Sequence, residues 1–108
     1  MFKISVMYPN PPGARFDHAY YRDTHLPMVA AKLGSASSYY TIEKGLGGGA
    51  PGSPAPYIAM CHFFCESLEA FGAAMASHRK EIMSDIPNYT DQTPVMQTSE
   101  VVVGAPAR

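Results

Sequence analysis

YIAMCHFFC, Tyr57 to Cys65, decides the fold. A run so rich in aromatic and aliphatic residues, following a Gly- and Pro-rich stretch, reads as a β-strand. Tyr57, Ala59, Cys61 and Phe63 fall on one face, and Ile58, Met60 and Phe64 on the other. A sheet covered by helices on one side only shows polar residues at every second position. A strand apolar on both faces therefore asks for a cover over its second face as well. The composition agrees: charged residues make up 16% of the 108, against about 25% in an average globular chain. A single domain this small and this poor in charge cannot coat its whole surface with polar groups, so self-association is expected. Cys61 and Cys65 share one face of the strand, roughly 13 Å apart at about 3.3 Å per residue. A disulfide needs Cα atoms within about 7 Å, so the two read as small buried hydrophobes.

The flanking elements follow from periodicity. Upstream, GLGGGAPGSPAP, Gly45 to Pro56, is expected to be a long, exposed and mobile connection. Before it, Ser37 to Glu43 reads as a strand. Phe2 to Tyr8 alternates and ends at Pro9, which makes it the first strand. Between them a helix runs from about Asp17, a natural N-cap, to Leu33, with Gly34 ending it. Pro27 should kink or briefly interrupt this helix near His25 and Leu26. Downstream, Ser67 caps a second helix carrying Leu68, Phe71 and Met75, and Ser77 is expected to cap a continuation through Ile82 and Ile86. His78 then stands at a helix junction, where capping or exposure suits it better than ligation. Val95 to Val103 is the last strand, before a frayed tail at residues 104–108. The order β-α-β-β-α-β predicts a single α+β domain over residues 1–108, ferredoxin-like, with a four-stranded antiparallel sheet.

Several function classes are disfavoured at once. A net charge of −1 offers no field for nucleic acid. No apolar run approaches the roughly 20 residues that span a membrane, and Met1 to Tyr8 reads as a strand rather than an export signal. A cytoplasmic location is the expectation. The four histidines form no metal-binding pattern, and GLGGGAPG lacks the context of a phosphate or dinucleotide loop. Neither a metal nor a cofactor is expected. Asp17, Tyr21 and His25 stand at i, i+4 and i+8, so a regular helix places a carboxylate, a phenol and an imidazole on one face. They could move protons on a small polar ligand. Equally, Asp17 could cap the helix and His25 could satisfy carbonyls freed near Pro27.

Three segments together resemble the EthD family, named for ethyl tert-butyl ether degradation. They are FDHAYYRDTHLPM at Phe16 to Met28, SLEAFGAAM at Ser67 to Met75, and IPNYTD at Ile86 to Asp91, followed by Pro94, Gln97 and Glu100. The first matches the family pattern F-D-x-x-Y-Y-x-x-x-H-x-P. The Gly- and Pro-rich middle loop departs from the family in a region where it varies. The resemblance implies a dimeric α+β barrel, two sheets face to face in a homodimer. It implies His25 as general acid/base, with Tyr21 as hydrogen-bond donor and Asp17 as orienting partner. Tyr20 and His62, both read first as packing residues, and Asp85 and Asn88, both explained by the turn at Pro87, are expected around a substrate pocket. The activity implied is that of an oxidoreductase, or an accessory to an oxygenase system, in oxidative breakdown of a small hydrophobic oxygen-bearing compound. Relatives on the same barrel include isomerases and cyclases, so isomerase, cyclase or decarboxylase chemistry in the same pocket is the alternative, and a non-catalytic partner of an oxygenase a third.

Overall fold

Alternation in the first strand sends Ile4 and Tyr8 to one side and leaves Lys3 and Met7 on the other, and the remaining strands assemble around that division. The computed structural model describes residues 1–104. Its strands are β1 (Phe2–Pro9), β2 (Tyr39–Lys44), β3 (Tyr57–Cys65) and β4 (Val95–Glu100). They form one antiparallel sheet in the order β2-β3-β1-β4. Helix α1 (residues 18–33) and helix α2 (Leu68–Asp85) cover one face, so the fold is the expected α+β, ferredoxin-like arrangement.

Helix α1 is built in three pieces: α-helical His18–Tyr20, a π turn over Tyr21–His25, and α-helical Leu26–Leu33. Pro27 explains the interruption. In an unbroken α-helix its ring would strike the carbonyl four residues back. The π turn resets the ladder first, with the Leu26 N–H donating to Tyr21 O. Pro27 then lies in the first turn of the last segment, where its missing N–H costs nothing. Gly34, at φ +55°, closes the helix in a conformation other residues avoid.

Helix α2 corrects one expectation. Ser67 does cap it, accepting from the Ala70 N–H at 3.1 Å. Ser77 caps nothing: it lies mid-helix and its Oγ donates back to Ala73 O at 3.1 Å. His78 is therefore mid-helix too, 3.8 Å from Glu81. The helix runs on because Phe71, Met75 and Ile82 keep a single stripe against the core.

Other boundaries also shift. β2 begins at Tyr39 rather than Ser37, and β4 stops at Glu100 rather than Val103, leaving Val102 and Val103 exposed. The middle loop is exposed at Leu46 yet tied down elsewhere: Gly48 N–H reaches Ser53 O at 3.0 Å, and Asn10 donates to Ala55 O and Pro56 O. Gly45 is required there, because a Cβ would collide with the Tyr57 carbonyl. Of the expected tail, residues 105–108 lie outside the described part.

The core sits between sheet and helices, around Leu26, Val29, Cys61, Phe63 and Ile82. The sheet's other face, with Met7, Met60, His62, Phe64 and an exposed Tyr39, is covered by no described helix, and residues 101–104 run beside Tyr39 and Phe64. No described helix is long and apolar enough to cross a membrane. Leu26 is 1% exposed, so Leu26→Ala should cost about 3 kcal/mol, read as a lowered midpoint in urea unfolding.

Candidate functional site

The site is made where the segment after α2 is stitched to the start of α1. Arg15 N–H donates to Asp91 Oδ1 at 3.0 Å, and the Arg15 guanidinium to Pro87 O at 3.0 Å. Thr90 Oγ1 donates to Arg15 O at 2.7 Å, and Asp17 N–H to Tyr89 O at 2.7 Å. These bonds pull Tyr89 inward until it is fully buried against Tyr8, Phe16, Tyr21 and His25.

His25 is the centre of this cluster. The π turn buries it beside Tyr21, their rings nearly parallel with centroids 5.6 Å apart. Its Nδ1 lies 2.8 Å from Asp85 Oδ2, across from α1 to the end of α2. An ionised carboxylate only accepts, so Nδ1 carries the proton and Nε2 is left with a lone pair. Nε2 accepts from the Tyr89 hydroxyl at 3.2 Å, and the Tyr89 oxygen accepts from the Tyr8 hydroxyl at 2.6 Å. A hydrogen-bonded chain thus runs Tyr8, Tyr89, His25, Asp85.

Electrostatics hold each member in a defined state. Burial lowers the His25 pKa, against the pull of Asp85, so the ring is neutral near pH 7. Partial burial works to raise the Asp85 carboxyl, but hydrogen bonds from His25, Tyr20 and Asn88 outweigh it and hold it below the usual range. Burial raises the phenols of Tyr8, Tyr21 and Tyr89, which stay protonated and serve as donors. Cys61, beside Tyr21, is pushed up to about 12 by burial, so it is a thiol and no nucleophile.

Tyr8, Tyr21 and His25 form the polar end of a narrow cavity of about 70 Å³ between the helices and the sheet. Its walls are apolar, including Leu26, Phe63 and Ile82. Asp85 faces elsewhere: with Thr24, Ser84 and Asn88 it lines a separate surface groove between the helices.

The residues singled out in the sequence separate accordingly. His25 and Tyr21 meet at the cavity. Asp17 is exposed, and its carboxylate caps the helix by accepting from the Tyr20 N–H at 3.0 Å. The carboxylate that orients His25 is Asp85, expected at the pocket rim. Tyr20 and Asn88 both donate to Asp85 Oδ1, at 2.7 and 2.9 Å. His62 lies on the sheet's uncovered face, its Nδ1 2.7 Å from Ser5 Oγ and its Nε2 3.2 Å from Glu43. It cannot reach the cavity. Tyr8 and Tyr89 were not singled out, although Tyr89 stands inside the IPNYTD segment that the sequence did mark.

The EthD domain profile matches residues 14–93. An EthD-like protein from Ralstonia eutropha JMP134, solved by crystallography, is 60% identical with a TM-score of 0.95. That alignment covers 99% of this chain and 96% of the other. An EthD family protein from Bacillus halodurans C-125 is 19% identical with a TM-score of 0.68, covering 93% and 97%. HapK from Hahella chejuensis is 14% identical with a TM-score of 0.61, covering both chains fully, and like the Bacillus protein it speaks for the fold alone. Among curated proteins none matches significantly.

The proton state of His25 is measurable. Folding favours its neutral form, so the unfolded chain binds more protons as pH falls below the ordinary 6.5, and stability should decline there. The ring should titrate below 6.5 by NMR. Asp85→Asn removes both influences that raise the pKa and should lower the midpoint further. A midpoint at or above 6.5 in the wild type would contradict this assignment.

Proposed function

The chain belongs to the EthD family, and on that premise we propose that it is an enzyme performing acid–base chemistry on a small hydrophobic oxygen-bearing molecule, with His25 as the base. One observation carries the reading: the Asp85–His25 pair ends, through Tyr89 and Tyr8, at an apolar cavity. A neutral imidazole whose Nε2 lone pair faces the Tyr89 hydroxyl is the base such work needs near pH 7. Asp85 fixes the tautomer and stabilises the imidazolium that forms. As His25 takes the Tyr89 proton, Tyr89 takes that of Tyr8, and Tyr8 that of the ligand. Their raised pKa values suit the phenols to relaying a proton rather than keeping a negative charge. Tyr21 contributes a hydroxyl to the same end of the cavity.

Removing a proton from a phenol, or from carbon beside a carbonyl, makes the ligand electron-rich. Dioxygen as co-substrate takes one electron from such an anion, the resulting superoxide and carbon radical join in a C–O bond, and the protonated peroxide loses water by O–O cleavage to leave a new carbonyl, which would make the chain an oxidoreductase without a bound cofactor in oxidative catabolism. Returning the proton to a different carbon is isomerisation, the alternative use of the same base. The homodimer belongs to this reading as well. The uncovered sheet face, with Met60, Phe64 and a 51% exposed Tyr39, supports a second copy packed face to face.

A panel of small phenols, lactones and ethers, followed by mass spectrometry with and without oxygen, tests the chemistry. His25→Gln should lower turnover of any substrate found by about 10²–10⁴-fold. Retained turnover in that variant overturns the assignment. Absence of turnover by the wild type, with co-purification of an oxygenase, moves the chain to a binding partner. Analytical ultracentrifugation should show a dimer that Phe64→Asp dissociates, and a monomeric wild type would refute the face-to-face pairing.

A further inference from the structure

Arg79 occupies a position on α2 that an apolar residue would be expected to hold. Phe71, Met75, Ile82 and Ile86 form the core-facing stripe of that helix and the turn after it, and Arg79 stands in the stripe between Met75 and Ile82. Its side chain lines the cavity that ends at His25 and also the shallow groove beside it along β4, which puts it at the cavity mouth. Among the described residues it is the one formally charged side chain lining that cavity, and no carboxylate lines it with Arg79. Among the described residues no acidic group lies within salt-bridge distance of its guanidinium. Lys32, on the neighbouring helix, is by contrast held by Glu81 at 2.8 Å.

A permanent cation at the mouth of an apolar cavity, with hydrogen-bond donors at the far end, defines a ligand with two different ends. Resting on the acid–base reading above, we propose that Arg79 is the specificity-determining residue of the site, selecting an organic carboxylate whose apolar body carries an oxygen function to Tyr8, Tyr21 and His25. Arg79 stands six positions, roughly 9 Å along the α2 axis, before Asp85, whose carboxylate holds the His25 ring at the other end of the cavity. Allowing for the reach of the arginine, that is the span of one ring or a short chain between the two polar ends. The guanidinium fork matches a carboxylate in geometry. It is exposed, so water screens the interaction and the selectivity should be moderate. The competing role for Arg79 is to cover apolar surface with its stem. That role would affect stability and would not distinguish an acid from its neutral isostere.

4-Hydroxybenzoate and 4-hydroxybenzamide, nearly identical in shape and different in charge, are the probes. Calorimetric titration at neutral pH should show the acid binding about tenfold more tightly than the amide. In Arg79→Gln the preference should fall to within about twofold while amide affinity is kept, and Arg79→Lys should lie between. Equal affinities in the wild type, a preference surviving in Arg79→Gln, or binding of neither probe overturns the proposal. NMR of the His25 ring separates this failure from that of the acid–base reading. An amide that shifts the ring signals without any preference for the acid removes Arg79 and leaves the His25 site standing. Loss of both binding and ring shifts removes both.

Discussion

The hydrogen bond from His25 to Asp85 is the constraint on which the site rests. It joins two helices through residues 60 positions apart, and it decides which imidazole nitrogen faces the cavity. A hydrogen bond to a charged acceptor contributes about 1.5–3 kcal/mol, enough to fix a ring but not to fold a domain. Its geometry has to be prepared elsewhere. The π turn turns His25 inward, and the bonds from Arg15, Asp17 and Thr90 hold the segment after α2 close enough for Asp85 and Tyr89 to meet it.

Sheet, helices and chain order were legible in the sequence because each depends on short-range alternation. YIAMCHFFC states its own two faces, and Asp17, Ser67 and Gly34 mark helix ends by local hydrogen bonding or backbone freedom. Ser77 misled for a related reason. A serine before a polar run resembles a cap, but its position relative to Phe71 and Ile82 keeps the helix going. Packing overrode a weak local preference.

The site was legible only in outline. His25 and Tyr21 stand out in one motif, four residues apart. Asp85 was marked as a turn residue because nothing local reveals that its partner is on another helix. Tyr8 and Tyr89 are 81 positions apart and become one hydrogen-bonded pair only after β1 and the final turn converge. Asp17 was drawn toward His25 by helical spacing, yet the first turn claims its carboxylate. Arg79 carries a signal that was available: a charge in an otherwise apolar helical stripe.

The separate placement of Asp85 keeps one end of the His25 pair against solvent. Its side chain is 19% exposed, and it borders a groove on the outer side of the helices, while the imidazole it holds points into the cavity. The two ends of the pair therefore open to different surroundings, one to water and one to the apolar cavity. A molecule seated in the inner chamber would leave the carboxylate side open to solvent.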